Sequence, residues 1–184
     1  MNIRCKLKNF DLKTFDSKIS KILIISDTHQ QSYDSIDIEI KKQIINSDLV
    51  VHCGDITSED VIKGITENSK NSIIVHGNSD PQNIRNNIPD KILFQINKFI
   101  FGVIHPFWGG PPPVDYDLIL EQFEEIKPNF IFFGHTHDAH IEEYKGTTFI
   151  NPGQGYSEFI IPTSFCLFEI SDSSISINIK KILR

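Results

Sequence analysis

Seven residues of this chain offer the nitrogen and oxygen donors of a metal site. Asp27 and His29 stand in ISDTH, Asp55 in CGD, Asn78 in HGNSD, His105 in VIHP, and His135 and His137 in FGHTH. Each follows an apolar run rich in β-branched or aromatic residues, the composition of a buried strand. Each is therefore expected at a strand exit, on the rim of a sheet. Residues two apart in an extended exit point to the same side, so Asp27 and His29 can grip one ion together. By the same reasoning His135 and His137 face a shared space. A carboxylate has two oxygens and can bridge two cations, and Asp55 is the natural bridge.

Mixed nitrogen and oxygen donors suit manganese, iron, zinc, cobalt or nickel better than calcium or magnesium. The expected cofactor is a pair of divalent ions, manganese first, with zinc, iron, nickel, cobalt or magnesium as alternatives. Asp27, Asp55 and a bridging hydroxide would leave such a pair with roughly one net positive charge, which attracts an anionic phosphodiester. The neutral Asn78 helps preserve that attraction. Two ions about 3.5–4 Å apart can activate a shared water for in-line attack on phosphorus. No side-chain nucleophile is then required, and the chain carries no G-x-S-x-G elbow.

The elements that must position these residues can be read along the chain. Residues 1–20 read as an N-terminal arm or an added edge strand, because Lys6 to Lys8, Phe10 and Leu12 alternate in strand fashion. KILIISDTH is a buried strand running into a loop. Ser35 to Asn46 carries Ile36, Ile40, Ile44 and Ile45 at helical spacing, with Ser35 as candidate cap. DLVVHCGD is a second strand, Ser58 to Ile65 a second helix and NSIIVHGN a third strand. This order predicts a parallel core sheet with helices outside. Lys91 to Asn97 and Phe99 to His105 read as an antiparallel pair, and Gly109 to Pro113 as a shaped loop. Asp115 to Ile126 is amphipathic and ends before Pro128. Five further short strands follow, so a second, mostly antiparallel sheet is expected to pack on the first. No repeat or linker divides residues 21–184, which read as a single domain.

Composition narrows the class. With 184 residues, 39% hydrophobic and 23% charged, the chain suits one α/β domain. A formal charge of −6 argues against an extended nucleic-acid surface. No apolar run reaches membrane-span length, and MNIRCKLKNF lacks the apolar core of a signal peptide. The expectation is a cytoplasmic protein without a membrane partner. Cys5, Cys53 and Cys166 lie far apart without metal-binding spacing and read as incidental thiols. Phe107 and Trp108 read equally as a lid over a substrate and as a patch for a partner. Asp80 is expected to cap a turn or orient a ligand, and Asn151-Pro152-Gly153 to fix the loop beneath the site. His52 and His76 are expected inside strands as core residues.

The order D-x-H, GD, GN-x-D, a lone His after a strand, GHTH and NPG resembles the calcineurin-like metallophosphoesterase superfamily. Within it, the small single-domain phosphodiesterases of bacteria and archaea are most similar. The resemblance runs from about Lys21 to the C-terminus. It implies an α/β fold, an αββα sandwich of two mixed β-sheets packed face to face with helices on the outer faces. It further implies that Asp27, His29, Asp55 and His137 hold one metal, and that Asp55, Asn78, His105 and His135 hold the other. Two positions depart from the family pattern. Ser79 stands where larger relatives have a proton-donating His, and Pro106 stands where the family usually has Gly. Supplying a proton in the transition state is typically worth about 10²–10⁴-fold, so modest rates and a preference for good leaving groups are expected.

The resulting expectation is a binuclear, metal-dependent phosphodiesterase (or phosphomonoesterase) acting through a metal-bridging hydroxide. Asp55, Asn78 and His105 are its expected catalytic residues, and a small phosphodiester its substrate. A homo-oligomer is open. The alternative is a scaffold of the same fold with little catalysis, like the small retromer subunit of eukaryotes, which would have protein partners.

Overall fold

Runs of β-branched and aromatic residues alternate with amphipathic stretches, and they fold as strands and helices in turn. The computed structural model describes residues 6–7, 10–15, 18–107, 114–158, 160–171 and 174–183. Lys6–Leu7 (β1) and Phe10–Asp11 (β2) pair antiparallel, and Lys13–Phe15 (β3) follows. Then come Lys21–Ile25 (β4), Ile38–Asn46 (α1), Leu49–Cys53 (β5), Glu59–Asn68 (α2), Ser72–Val75 (β6) and Gln82–Asn87 (α3). The second half holds Lys91–Ile96 (β7), Phe99–Ile104 (β8), Tyr116–Glu121 (α4) and Phe130–Phe133 (β9). His140–Tyr144 (β10), Thr147–Asn151 (β11), Thr163–Ile170 (β12) and Ile175–Ile182 (β13) complete it.

Two mixed sheets result. The first has the order β13-β12-β4-β5-β6, with β4, β5 and β6 parallel and β12 antiparallel to both of its neighbours. The second has the order β10-β11-β9-β8-β7-β3. Alternation along β4 explains the layering, since its residues are buried on both faces. Ile22 and Ile24 face the second sheet, in one cluster with Val51, Phe94, Phe101, Phe132 and Phe168. Leu23 and Ile25 face outward onto Ile40 and Ile44 of α1 and Val61 and Ile65 of α2. On the far side, Ile119 and Phe123 cover Leu93, Ile131, Phe133 and Phe149. The architecture is an αββα sandwich. Phe101 ties its sheets together, stacking on Phe94 at 4.8 Å and meeting Phe168 edge-on at 5.6 Å.

The structure corrects four details of the sequence reading. Helix α1 starts later than Ser35, because Tyr33–Ser35 forms a 3-10 turn, Ile36 turns into the core and Asp37 caps through Glu39 N. Helix α2 begins after Ser58 as expected but runs on to Asn68. The Asp115 to Ile126 stretch is helical only to Glu121; Gln122, Phe123 and Ile126 then donate to carbonyls three residues back, in tighter turns that still deliver Phe123 to the core. The second sheet is mixed rather than mostly antiparallel, because β12 and β13 extend the first sheet instead. Three of its pairings are parallel: β3 with β7, β8 with β9, and β9 with β11. Trp108 and the loop Gly109 to Pro113, with Cys5 and Lys8, lie outside the described residues. Among the described residues, no helix is long and apolar enough to cross a membrane.

Asp48 fixes the entry to β4. Its Oδ2 accepts from Ser20 N at 3.1 Å and Lys21 N at 3.0 Å, and Lys70 Nζ reaches Oδ1 at 2.8 Å. Burial pushes this carboxyl up, but Lys70 and Ser20 outweigh it and hold the pKa at about 2, against an ordinary 3.8. A depressed pKa gives stability that is present above the ordinary value and lost as pH falls through the lower one. The side chain is 23% exposed, so solvent screening discounts the effect. Asp48→Asn is expected to cost about 1 kcal/mol at neutral pH and to flatten the loss of stability between about pH 4 and pH 2. Urea unfolding across that range checks both; an unchanged acid slope would show that Asp48 contributes nothing there.

Candidate metal centre

Parallel strands bring their carboxyl ends to one rim, and the seven candidate residues follow those ends. Asp27 follows β4, Asp55 follows β5, Asn78 follows β6, His105 directly follows β8, and His135 and His137 follow β9. Extended alternation is not what gathers them. Asp27, His29, Asp55, His135 and His137 have φ of 50°, 46°, 56°, 78° and 57°. Non-glycine residues seldom adopt this left-handed region, which costs of order 1–3 kcal/mol per residue and needs surroundings that enforce it.

Those surroundings are visible. Asp27 N donates to Gly54 O at 3.0 Å and His29 N to Asp55 O at 3.3 Å, locking the first two loops together. Asp80, buried, accepts from Asp55 N at 3.1 Å, Gly77 N at 2.7 Å and Thr57 N at 2.6 Å. It thereby binds the second loop to the third. His52 is buried, accepts from Gly54 N through Nδ1 and pairs through Nε2 with Thr28 Oγ1 at 3.0 Å. Burial lowers the His52 pKa to about 4, so this ring is a neutral strut. Asn151 Nδ2 donates to Gly134 O and to Thr136 Oγ1, and Asn151 Oδ1 accepts from Gly153 N. The GHTH turn is held from below by these bonds.

Two groups of donor atoms come together. Asp27, His29 and His137 form one, and Asp27, Asp55 and His105 the other; within each group the ligand atoms lie within 4.8 Å of one another. Asp27 Oδ1 is 3.3 Å from His137 Nε2 and 3.9 Å from His105 Nε2. Asp55 Oδ2 is 3.7 Å from His29 Nε2 and 3.4 Å from His105 Nε2. Both carboxylates thus stand between imidazoles of the two groups. His135 is placed beside these groups and not in them. His135 donates its backbone N–H to Asp27 Oδ2 at 3.1 Å, with its ring 5.3 Å from that of His105. Asn78 is exposed, its amide 3.3 Å from Ser79 Oγ.

The donor set fits a divalent cation. His105 donates Nδ1–H to Cys53 O at 2.7 Å, which leaves Nε2 directed at Asp27 and Asp55. That Nε2 is buried and has no hydrogen-bond partner. A buried polar atom without a partner is costly, and metal-bound histidines characteristically use one nitrogen for a carbonyl and the other for the ion. Burial raises the Asp27 carboxyl, but the hydrogen bond from His137 and the charge of His105 overcome it, so its pKa is lowered. Asp55 is likewise lowered, with His105 and Ser79 outweighing burial. Burial opposes charging His105, yet Asp55 and Asp27 raise its pKa. His137 is raised chiefly by its hydrogen bond to Asp27. The two buried carboxylates are therefore ionised where a cation would lie.

Four further residues contribute in ways their sequence positions do not show. Ser79 does not point away as a free hydroxyl; its N and Oγ hold Asp55 Oδ1 and Oδ2, each at 2.8 Å. Gln154 Oε1 accepts from His137 Nδ1 at 2.9 Å. The Tyr156 ring meets His29 edge-on at 5.5 Å. Gly134 is required by close approach, since a Cβ there would sit 1.9 Å from Ser26 Oγ and 2.7 Å from Asp27 Oδ2. Only the glycine had a sequence signal, as the residue that breaks the strand before HTH. Ser79→Ala is expected to weaken metal binding by about tenfold, the scale of losing a bond that orients a ligand. A metal titration on the folded variant reads this, and unchanged affinity would assign Ser79 to the turn alone.

Beside His105 lies a cleft of about 320 Å³ lined by His76, Asp90, Ile104, His105, Phe107 and Gln122. Phe107 is 52% exposed at its edge.

Comparison with known proteins gives the family of the chain. The profile of the calcineurin-like phosphoesterase superfamily domain matches residues 21–173. A probable metallophosphoesterase of Methanocaldococcus jannaschii is 32% identical over 134 residues, which span 71% of this chain and 65% of that protein. A phosphodiesterase of the same organism is 31% identical over 150 residues, 73% of this chain and 83% of that protein. The fold also matches vacuolar protein sorting 29 from Entamoeba histolytica, solved in complex with zinc. The TM-score is 0.67 at 20% identity, covering 88% of this chain and 98% of that one.

Proposed function

The chain belongs to the calcineurin-like phosphoesterase superfamily, and from that membership we propose that it is a phosphodiesterase whose rim residues hold two divalent ions. The observation that carries this reading is the buried Nε2 of His105, which makes no hydrogen bond and stands 3.4 Å from Asp55 and 3.9 Å from Asp27, both ionised. His29 and His137 would hold one ion with Asp27, and His105 the other, with Asp27 and Asp55 shared. Asn78 and His135, beside the second position, would complete its set. Manganese, which suits the carboxylate oxygens and accepts imidazole beside them, is the ion proposed. Bound divalent ions supply Lewis-acid charge to a phosphoryl oxygen and lower the pKa of water for attack on phosphorus.

The chain's own residues set the rest. Two carboxylates against two divalent ions leave the pocket cationic, and neutral Asn78 keeps it so, which favours a singly charged diester. Ser79 spends its hydroxyl on Asp55, so it is not available to protonate the leaving group. Esters with acidic leaving groups, such as aryl esters, should therefore react best. The cleft between His105 and Phe107 has room for one arm of the ester.

The test is hydrolysis of an aryl phosphodiester by protein stripped of metal and then supplied with manganese. Turnover that appears only with metal, and faster for the diester than for the matched monoester, supports the reading. A rate indifferent to chelation overturns it. The second reading, an interaction scaffold with little catalysis, is favoured by Ile38 and Ile45, which are 54% and 56% exposed, seven residues apart on α1. Absence of turnover in protein that binds manganese would decide for it.

A further inference from the structure

We propose that Gln154 is a positioning residue that makes the two metal positions unequal. It would set the ring of His137, and through it the ion held with His29, while leaving the ion held by His105 alone. The proposal rests on the metal-binding reading above.

Gln154 is fully buried. Its Nε2 donates to Tyr156 O at 2.8 Å, and a carbonyl can only accept, so the amide orientation is fixed. Oε1 is then the atom facing His137 Nδ1 at 2.9 Å. An amide oxygen also only accepts, so Nδ1 carries a proton. His137 Nε2, 3.3 Å from Asp27 Oδ1, hydrogen-bonds that carboxylate and is the nitrogen a metal would take.

The neighbouring residues act on the same group. Gly155 N donates to Ser26 O at 2.8 Å and to Asp27 O at 3.1 Å. The Tyr156 ring lies 5.5 Å from that of His29 and 6.1 Å from that of His137. Residues 154–156 thus touch both imidazoles of one donor group, His29 and His137, besides Asp27, which the two groups share. Among the described residues, none of their hydrogen bonds reaches Asp55 or His105. His105 is oriented independently, by Cys53 O. One donor group therefore depends on a side-chain amide delivered by a distant loop, and the other on a strand carbonyl. Loss of an orienting partner typically costs about 10–100-fold in metal affinity.

The experiment compares wild type, Gln154→Met and Gln154→Glu by manganese titration calorimetry and by ¹⁵N spectroscopy of the histidine rings without metal. Gln154→Met keeps the volume and loses the acceptor; Gln154→Glu keeps an acceptor and loses the donor to Tyr156. The expected wild-type result is two ions bound. In Gln154→Met one of the two affinities should fall about 10–100-fold while the other stays within about threefold. His137, but not His105, should lose its hydrogen-bonded Nδ1–H. Gln154→Glu should keep that hydrogen bond and bind more tightly than Gln154→Met at the affected position. A residue that merely packs would make the two variants equal. Equal variants, equal loss at both positions, or an unchanged His137 Nδ1–H in Gln154→Met overturns the proposal while the metal reading stands. A wild-type protein that binds no manganese overturns both.

Discussion

Asp27→Asn is expected to lower metal-dependent kcat/KM by about 10³-fold, the scale of losing several kcal/mol of metal-assisted stabilisation. The substitution keeps the size of the side chain and an oxygen that can accept from His135 N. It removes the charge common to both donor groups. Asp27 is fully buried and held ionised by His137 and His105. No solvated carboxylate can move in to replace it. Both ions should bind weakly in the variant, so a manganese titration should fail at both positions together. Retention of either binding step at wild-type affinity would show that Asp27 is not shared.

Gly134→Ala is expected to cost about 10²-fold in the same rate, although the residue carries no chemistry. A methyl group there meets Ser26 Oγ at 1.9 Å and Asp27 Oδ2 at 2.7 Å, inside any permissible contact. Either the GHTH turn lifts or Asp27 is displaced, and a shift near 1 Å in a catalytic group can cost about 10²-fold. The loss should appear in metal affinity as well as rate, while thermal unfolding stays cooperative. Wild-type metal affinity in Gly134→Ala would show that the turn yields freely.

The strands and the rim were legible because they rest on local patterns. Ile22 to Ile25, Val50 to Cys53 and Ile73 to Val75 are β-branched runs of strand length, each closed by a polar turn. The linked order of the rim motifs then pointed to one superfamily, and the family match over residues 21–173 agrees. What stayed hidden depends on tertiary contacts. Alternation marks β12 and β13 as strands but does not say which sheet they join. Helix α3, QNIRNN, buries only Ile84 and so leaves almost no periodic signal. Asp27 and His29 meet through left-handed backbone, which composition does not announce for Asp or His. Gln154 lies more than a hundred residues from Asp27, and nothing in its type marks it as a partner of His137. Ser79 could be read as a missing proton donor, yet not as the clamp on Asp55 that it is.

That two divalent ions share Asp27 and Asp55 on this rim is what we propose. Anomalous diffraction at the manganese edge, from crystals grown with manganese, tests it most directly. Two peaks about 3.5–4 Å apart are expected, one against His29 and His137 and one against His105, with Asp27 and Asp55 between them. A single peak, or two peaks that do not share Asp27 and Asp55, would contradict it.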